Sequence, residues 1–206
     1  MKKNFLLLCC MFSLSLFASP SVLIFAGSSR VDSYNKKLAK QAAVIAEKMG
    51  ADVTIIDLKD YPIPFYNGDL EKEEGVPEAA KRLRDLMCAN DAIIIASPEY
   101  NGSFSALLKN ALDWASRGEN GGVLPKAFHG KKFGLMSASP GKMGGSRGLV
   151  HLRAVIEDIG GEVVQKQVSL PTAYQEFNDA GELINSAFRK ALEEEVAQVL
   201  IPSPRS

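Results

Sequence analysis

The chain is poor in the residues that usually hold metals or disulfides. Its 206 residues include only three cysteines and two histidines. Cys9 and Cys10 lie in an apolar run at the amino terminus, so removal of that run leaves Cys88 alone and excludes an intramolecular disulfide. His129 and His151 are far apart and no Cys/His cluster has the spacing of a zinc or iron–sulfur site. We expect no protein-held metal.

The chain also lacks net charge, since 24 lysines and arginines balance 24 aspartates and glutamates. A dedicated nucleic-acid binder normally carries a basic surplus, so no nucleic-acid partner is expected. Hydrophobic residues make up 46% and charged residues 23%, which is typical of globular domains and argues against disorder. The length suggests one domain.

Residues 1–20 have the pattern of an export signal or an N-terminal anchor. Lys2 and Lys3 precede the apolar run Phe5–Ala18, which is shorter than a membrane-spanning helix usually needs. The small residues at Ala18 and Ser19 suit a signal peptidase. Lipid attachment at Cys9 or Cys10, an uncleaved anchor and a start placed too far upstream stay open as alternatives. Residues 21–206 are predicted to form a single domain, with no membrane span in the mature chain.

Short apolar runs alternate with amphipathic stretches along residues 21–206. This pattern is typical of a parallel sheet with helices on both faces, and it predicts a doubly wound α/β fold. Ligands of such folds bind beyond the carboxyl ends of the strands. The predicted strands are Val22–Ala26, Val53–Asp57, Ala92–Ala96, Phe133–Ser137 and Glu162–Val168. The predicted helices cover residues 36–49, 77–88, 105–116, 149–159 and 185–200.

The loop after the first strand, Gly27–Asn35, is rich in hydrogen-bond donors and ends where a helix starts. Ser28, Ser33 and Asn35 offer side-chain donors and Arg30 offers positive charge, while the helix N-terminus favours an anion. A terminal phosphate is the ligand that this loop predicts. The alternative is that Ser33 or Asn35 only caps the helix. The dinucleotide and Walker signatures are both absent, so the phosphate is assigned to a mononucleotide.

The loops after the third and fourth strands complete the candidate site. Pro98-Glu-Tyr-Asn-Gly-Ser103 joins an aromatic residue to turn formers, and such a segment can lie along a flat ring, although Asn101-Gly102 is also an ordinary turn signal. The loop that begins at Ser137-Ala-Ser-Pro-Gly141 contains a second glycine pair, Gly144-Gly145.

These three segments, in this order, resemble the NADPH-dependent FMN reductases, a family that includes quinone, azo and chromate reductases. The resemblance extends from about Val22 to Leu200 and includes Leu108-Lys-Asn-Ala-Leu-Asp-Trp114. It implies a flavodoxin-like fold with five parallel strands in the order 2-1-3-4-5. It also implies bound FMN, with NADPH or NADH as electron donor.

By this resemblance the FMN phosphate binds Ser28, Arg30, Ser33 and Asn35. The isoalloxazine lies against Pro98, Glu99, Tyr100, Asn101 and Gly102, with Ser137, Ser139 and Gly141 on the other side. The donor reduces the flavin and leaves, and a quinone, azo, nitro or chromate-type acceptor or free flavin then takes the electrons. The cofactor does this chemistry, so no catalytic side chain is assigned. A homodimer or homotetramer is expected.

The chain departs from the family in two places. Many members carry Pro-Gly where this chain has Ser105-Ala106, although Ser105 can cap the following helix. Relatives usually begin at the first strand, whereas this chain has the additional residues 1–20. The leader indicates export, while NADPH use indicates the cytoplasm, and the leader has no arginine pair for export of a folded flavoprotein.

Two other functions were weighed. Gly144-Gly-Ser-Arg-Gly148 matches the nucleophile elbow of serine hydrolases, with Ser146 as nucleophile, but no acid and later histidine follow in the required order. An FMN-carrying electron-transfer protein without its own NADPH reaction is the nearer alternative. Flavodoxin-type carriers are typically acidic, and this chain is neutral.

Three further segments are predicted to be structural. Trp114 is expected to pack in the core. The acidic runs at residues 71–74 and 193–195 are expected to be solvated, the first in a loop and the second on the last helix.

Overall fold

The computed structural model describes residues 19–119 and 121–201, so the apolar run of the predicted leader lies outside the described residues. Six helices and eight strands follow each other within those ranges. The strands are β1 (Ser21–Ala26), β2 (Asp52–Asp57), β3 (Ala92–Ala96), β4 (Glu99–Tyr100), β5 (Ser103–Phe104), β6 (Lys132–Ala138), β7 (Glu162–Val163) and β8 (Val168–Leu170). The helices are α1 (Tyr34–Lys48), α2 (Gly68–Glu74), α3 (Glu78–Ala89), α4 (Ala106–Ala115), α5 (Ser146–Asp158) and α6 (Ser186–Leu200). None of the helices in these ranges is both long and apolar enough to cross a membrane.

The main sheet is parallel and has the order β2-β1-β3-β6-β7, with β8 also paired to β6. This arrangement confirms the predicted flavodoxin-like order 2-1-3-4-5 and shows that the fifth strand is divided. Lys132 pairs with Glu162 but Met136 pairs with Val168, so the fifth strand carries two extra residues over this interval. The extra residues break the ladder and separate β7 from β8.

Side chains satisfy the backbone groups that the broken strand leaves without a ladder partner. The N–H of Val168 donates to Glu195 Oε2 (2.8 Å), and the N–H of Lys166 donates to Gln198 Oε1 (3.0 Å). Arg153 donates to the carbonyls of Val163 and Val164 (3.2 and 2.6 Å). The prediction that residues 193–195 are all solvated is therefore wrong, because Glu195 is fully buried.

The alternation along the central strands builds a core on each face of the sheet. Val22 and Ile24 pack with α1 and α6, whereas Leu23 and Phe25 pack with α3, α4 and α5. Period-two alternation places successive side chains on opposite faces, and here both faces are apolar because both are covered by helices. The carboxyl edge of the sheet stays free for loops.

The long segment between β2 and α3 is held against α4. Asn110 accepts a hydrogen bond from the N–H of Tyr66 (2.8 Å) and donates to the carbonyl of Pro64 (2.9 Å), to which Trp114 Nε1 also donates (2.8 Å). Trp114 is fully buried, which confirms its predicted packing role. The acidic run at 71–74 is wrongly predicted as a loop: it lies in α2, and Glu71 pairs with Arg117 at 2.8 Å.

Candidate functional site

Three loops leave the carboxyl edge of adjacent strands. We name them the β1 loop (residues 27–33), the β3 loop (97–105) and the β6 loop (139–145). Parallel strands place these loops side by side at one edge. The predicted site residues lie in the loops or directly beside them. In the β1 loop and at the start of α1 these are Ser28, Arg30, Ser33 and Asn35; in the β3 loop, Pro98, Glu99, Tyr100, Asn101 and Gly102; at the end of β6 and in the β6 loop, Ser137, Ser139 and Gly141.

The β1 loop ends in a helix N-terminus that no side chain caps. Ser33 is the N-cap residue of α1 but makes no side-chain capping hydrogen bond, and the first turn contains no acidic residue. Ser28 and Ser33 are nevertheless buried, at 6% and 5% exposure. Arg30 is exposed and has no ion-pair partner within residues 19–119 and 121–201. This arrangement retains free donors and positive charge at one point, as an anion site requires.

Asn35 makes a contact that the sequence does not predict. Its side-chain amide donates to the carbonyl of Ala138 (2.9 Å), and its side-chain oxygen accepts from the N–H of the same residue (2.9 Å). The side chain thus ties the start of α1 to the end of β6. The amide group has a second N–H besides the one that it donates to Ala138, so the contact of Asn35 with a phosphate stays a prediction.

The β3 loop is a tight two-residue hairpin. β4 and β5 pair antiparallel, and the turn residues Asn101 and Gly102 have φ values of 51° and 80°. Positive φ at both central positions is the geometry of the turn that best matches the twist of paired strands. Pro98 is buried below the hairpin, whereas Tyr100 is 53% exposed at its tip. The hairpin therefore presents an aromatic side chain on a rigid turn.

Glu99 leaves the hairpin on the side of α5. Its carboxylate accepts from the N–H of Gly148 (3.0 Å) and from Arg147 Nη2 (2.7 Å). Burial raises the pKa of Glu99, but these hydrogen bonds outweigh burial and hold the pKa below its ordinary value. The carboxylate is thus ionised and held within the protein, with Arg147 paired to it.

The β6 loop lies over a buried hydroxyl. Ser137 is fully buried, and its Oγ has no hydrogen-bond partner among the described residues. Gly145 lies directly above it with φ 84°, and a Cβ there would stand 1.9 Å from Ser137 Oγ. The Oγ of Ser139 accepts from the N–H of Gly141 (3.1 Å), which folds the start of the loop. Only glycine fits at position 145.

Ser105 links the β1 loop to the β3 loop. It caps α4 as predicted, with its Oγ accepting from the N–H of Leu108 (3.2 Å). The same hydroxyl donates to the carbonyl of Gly27 (2.6 Å). The Asn35–Ala138 contact joins α1 to β6, and the Glu99–Gly148 contact joins the β3 loop to α5, so each of the three loops is cross-linked either directly or through an element that adjoins it. No signal in the sequence reveals these three cross-links, because each joins residues that are far apart along the chain.

The geometry gives no support to the serine hydrolase alternative. His151 Nδ1 lies 3.1 Å from the Oγ of Ser103, a different serine from the predicted nucleophile Ser146. Ser146 instead begins α5, and the N–H of this residue donates to the carbonyl of Met143 (3.1 Å).

Sequence comparison identifies the family to which these loops belong. Residues 20–175 match the family model described as NADPH-dependent FMN reductase. An NAD(P)H-dependent FMN reductase of Pseudomonas aeruginosa is 34% identical over 176 residues, which are 85% of this chain and 90% of that protein. An NADPH:quinone oxidoreductase of Arabidopsis thaliana is 32% identical over 178 residues, covering 84% of this chain and 86% of the relative.

A solved structure agrees with the sequence matches. The flavoenzyme FerB, an NAD(P)H:(acceptor) oxidoreductase from Paracoccus denitrificans, superposes with a TM-score of 0.73 at 25% identity, over 87% of this chain and 97% of that one. The family match, the sheet order and the three linked loops confirm the resemblance inferred from the motifs. The chain belongs to the NADPH-dependent FMN reductase family and is an NAD(P)H- and FMN-dependent oxidoreductase.

Proposed function

We propose that the three linked loops bind FMN at the carboxyl edge of the sheet and pass electrons from NADPH or NADH to a small acceptor. Quinones, azo and nitro compounds, chromate-type oxyanions and free flavin are the acceptor classes. The observation that carries the proposal is the uncapped start of α1, where Ser33 is buried without making a capping bond. Two full-length relatives named for FMN reduction and for NADPH:quinone oxidoreduction support it.

The phosphate end of FMN fits the β1 loop. Ser28 and Ser33 supply hydroxyls, and Arg30 supplies a charge that no carboxylate of the described chain neutralises. The helix N-terminus adds backbone N–H groups and a favourable dipole for an anion. Asn35 contributes by holding the start of α1 against Ala138. The donor set therefore suits a dianionic phosphate.

The ring end of FMN fits between the β3 and β6 loops. Pro98 to Gly102 would line one side of the ring, and Ser139 and Gly141 would line the other. Bound FMN supplies the hydride chemistry, so the protein has to position the ring and exclude competing reactions. The rigid turn at Asn101 and Gly102 fixes the backbone groups that would face the ring, and the exposed ring of Tyr100 offers a surface to a flat acceptor.

We also propose that the chain forms a homodimer or homotetramer and that residues 1–20 act as a leader or anchor. Exposed apolar side chains near the site, Tyr100, Met143 and Val150, support self-association. The N–H and hydroxyl of Ser21 both donate to Asp91 Oδ2, at 2.8 and 2.7 Å, so the start of β1 is tied to the residue before β3, as suits a domain that begins at this strand. Light scattering tests the first proposal. N-terminal sequencing of the exported chain tests the second.

The decisive experiment is an anaerobic visible spectrum of residues 19–206 loaded with FMN, taken before and after NADPH is added. Loss of the flavin bands on addition supports the reductase, whereas bound flavin that NADPH does not bleach favours the electron-transfer alternative. Absence of FMN binding overturns the site. Ser33→Ala is expected to weaken FMN binding about tenfold, equivalent to about 1.4 kcal/mol. Ser29→Ala, an exposed neighbour in the same loop, is the matched control.

A further inference from the structure

The start of α5 is capped by a residue from a different loop. Its N-cap position is Gly145, which has no side chain, and its first turn contains no acidic residue. Glu99 fills this role from the β3 loop by accepting from the N–H of Gly148 at 3.0 Å. Its other oxygen accepts from Arg147 Nε and Nη2, at 3.0 and 2.7 Å. One carboxylate therefore satisfies both the helix N-terminus and the arginine.

The hairpin is pressed closely against α5 around this carboxylate. A Cβ on Gly148 would stand 3.3 Å from the carbonyl carbon of Ser103 and 3.4 Å from Glu99 Cβ, so the missing side chain allows the approach. The contact between Ser103 Oγ and His151 Nδ1 adds a second polar link 3.1 Å long. Glu99 is the buried partner of the ion pair across this interface: its side chain is 9% exposed, whereas that of Arg147 is 65% exposed.

A helix N-terminus beside an arginine is a combination that binds anions in proteins. In this chain the protein's own carboxylate occupies the combination. While Glu99 stays in place, its carboxylate engages the Gly148 N–H and Arg147 Nε and withholds both from a phosphate. The start of α1 is different, because its N-cap residue makes no side-chain capping bond and no carboxylate of the described residues takes the place that Glu99 takes at α5.

We infer that Glu99 is a positioning residue with two effects: it locks the β3 loop to α5, and it closes the start of α5 to external anions. The inference rests on the proposed function, in which the flavin ring lies between the β3 and β6 loops. The β3 loop and the β6 loop form the two walls of the ring pocket. Because α5 directly follows the β6 loop, the bond from Glu99 to α5 fixes the position of the β3 loop relative to the β6 loop. It acts through backbone position and needs no contact with the reacting atoms.

The test compares Glu99→Ala and Glu99→Gln with the wild-type chain. Glu99→Ala is expected to raise the dissociation constant for FMN about tenfold by releasing the hairpin. Glu99→Gln keeps an oxygen for Gly148 N–H and is expected to recover most of that affinity. Glu157→Ala, which removes an exposed glutamate paired with Arg153 on the same helix, is the control and should leave FMN binding unchanged.

The anion effect is measured without flavin. Inorganic phosphate, matched in ionic strength with chloride, is expected to raise the melting temperature of flavin-free Glu99→Ala more than that of flavin-free wild type, because only in the variant are the Gly148 N–H and Arg147 Nε released from the carboxylate. Addition of Arg147→Ala to Glu99→Ala should abolish the extra shift. A purely structural role for Glu99 predicts lower stability but no new phosphate response.

The inference would be overturned if Glu99→Ala bound FMN with wild-type affinity and if phosphate raised its melting temperature no more than that of the wild type. Failure of the wild type itself to bind FMN would overturn the proposed function, and the phosphate measurement would still test the closing of the α5 start. If Glu99→Ala does not fold, Arg147→Ala carries the test: it removes both guanidinium bonds to Glu99 and should weaken FMN binding, and unchanged FMN affinity in this variant refutes the role.

Discussion

Replacement of Glu195 by glutamine should change how the stability of the protein depends on pH. Glu195 is fully buried where the fifth strand is broken, with Oε2 accepting from the N–H of Val168 and Oε1 lacking a hydrogen-bond partner among the residues that the structure describes. Burial raises the pKa of this carboxyl well above its ordinary value, despite that hydrogen bond. Glutamine has the same shape, keeps an oxygen for Val168 and carries no ionisable proton.

The raised pKa determines whether the free energy of unfolding rises or falls with pH. Above the ordinary carboxyl pKa of 4.5 the unfolded chain releases the proton, while the folded protein still retains it. The unfolded state then binds fewer protons than the native state, so the free energy of unfolding falls by about 1.4 kcal/mol per pH unit until the folded pKa is reached. As the pH rises above 4.5 the wild type should therefore lose stability at this residue, and Glu195→Gln should show no such loss.

Urea unfolding of both chains at several pH values measures this difference. Glu194→Gln is the control on the same helix, since Glu194 is partly exposed and paired with Lys166 at 2.8 Å. Glu195→Leu leaves Val168 N–H without an acceptor and should cost about 1–3 kcal/mol relative to Glu195→Gln. A stability difference between wild type and Glu195→Gln that stays constant from acid to neutral pH would refute the reasoning.

Three other substitutions test the cross-links around the site. Gly145→Ala places a Cβ 1.9 Å from Ser137 Oγ at a φ of 84°, so we expect thermal unfolding to show a loss of at least about 1–3 kcal/mol in stability, together with weaker FMN binding. Partial rescue by an added Ser137→Gly would identify the clash, and an unchanged melting temperature would contradict it. Asn35→Ala removes both bonds to Ala138 and should lower the free energy of unfolding, measured in urea, by about 1–3 kcal/mol while raising the FMN dissociation constant. Weaker FMN binding with unchanged stability would argue against a link between α1 and β6 through this side chain. Asn110→Ala removes the hydrogen bonds that hold the segment before α2, so limited proteolysis should cleave residues 61–67 faster in this variant than in the wild type. Equal cleavage rates would show that this side chain does not hold the segment.

The sheet order and the positions of the loops were predictable because they depend on local patterns. Apolar runs at Val22–Ala26 and Ala92–Ala96 are buried on both faces, and runs of this kind, alternating with amphipathic stretches, indicate a helix-covered parallel sheet. Ser105 at the start of α4 and Asn185 at the start of α6 follow the ordinary rules for helix caps. The predicted site residues lie at the carboxyl edge for the same reason, and their binding roles remain proposals.

The errors fall on polar residues whose partners are distant. Glu71 and Glu195 belong to acidic runs that normally face water, yet one pairs with Arg117 and the other fills the gap in the fifth strand. The break in that strand was not predicted, since the prediction for residues 162–168 is one continuous strand. Two extra residues break the ladder, and side chains of α5 and α6 bond the backbone groups that the break leaves unpaired.

The order of elements, the two-sided core and the composition of the three loops follow from the sequence alone, because periodicity and turn chemistry act over a few residues. The tertiary structure assigned each polar side chain its partner. Asn35 meets Ala138 across 103 residues, and Glu99 meets Gly148 across 49. Such contacts depend on where two elements cross in space, and the hydrogen-bond requirement of a buried polar group then selects whichever partner the fold brings within reach.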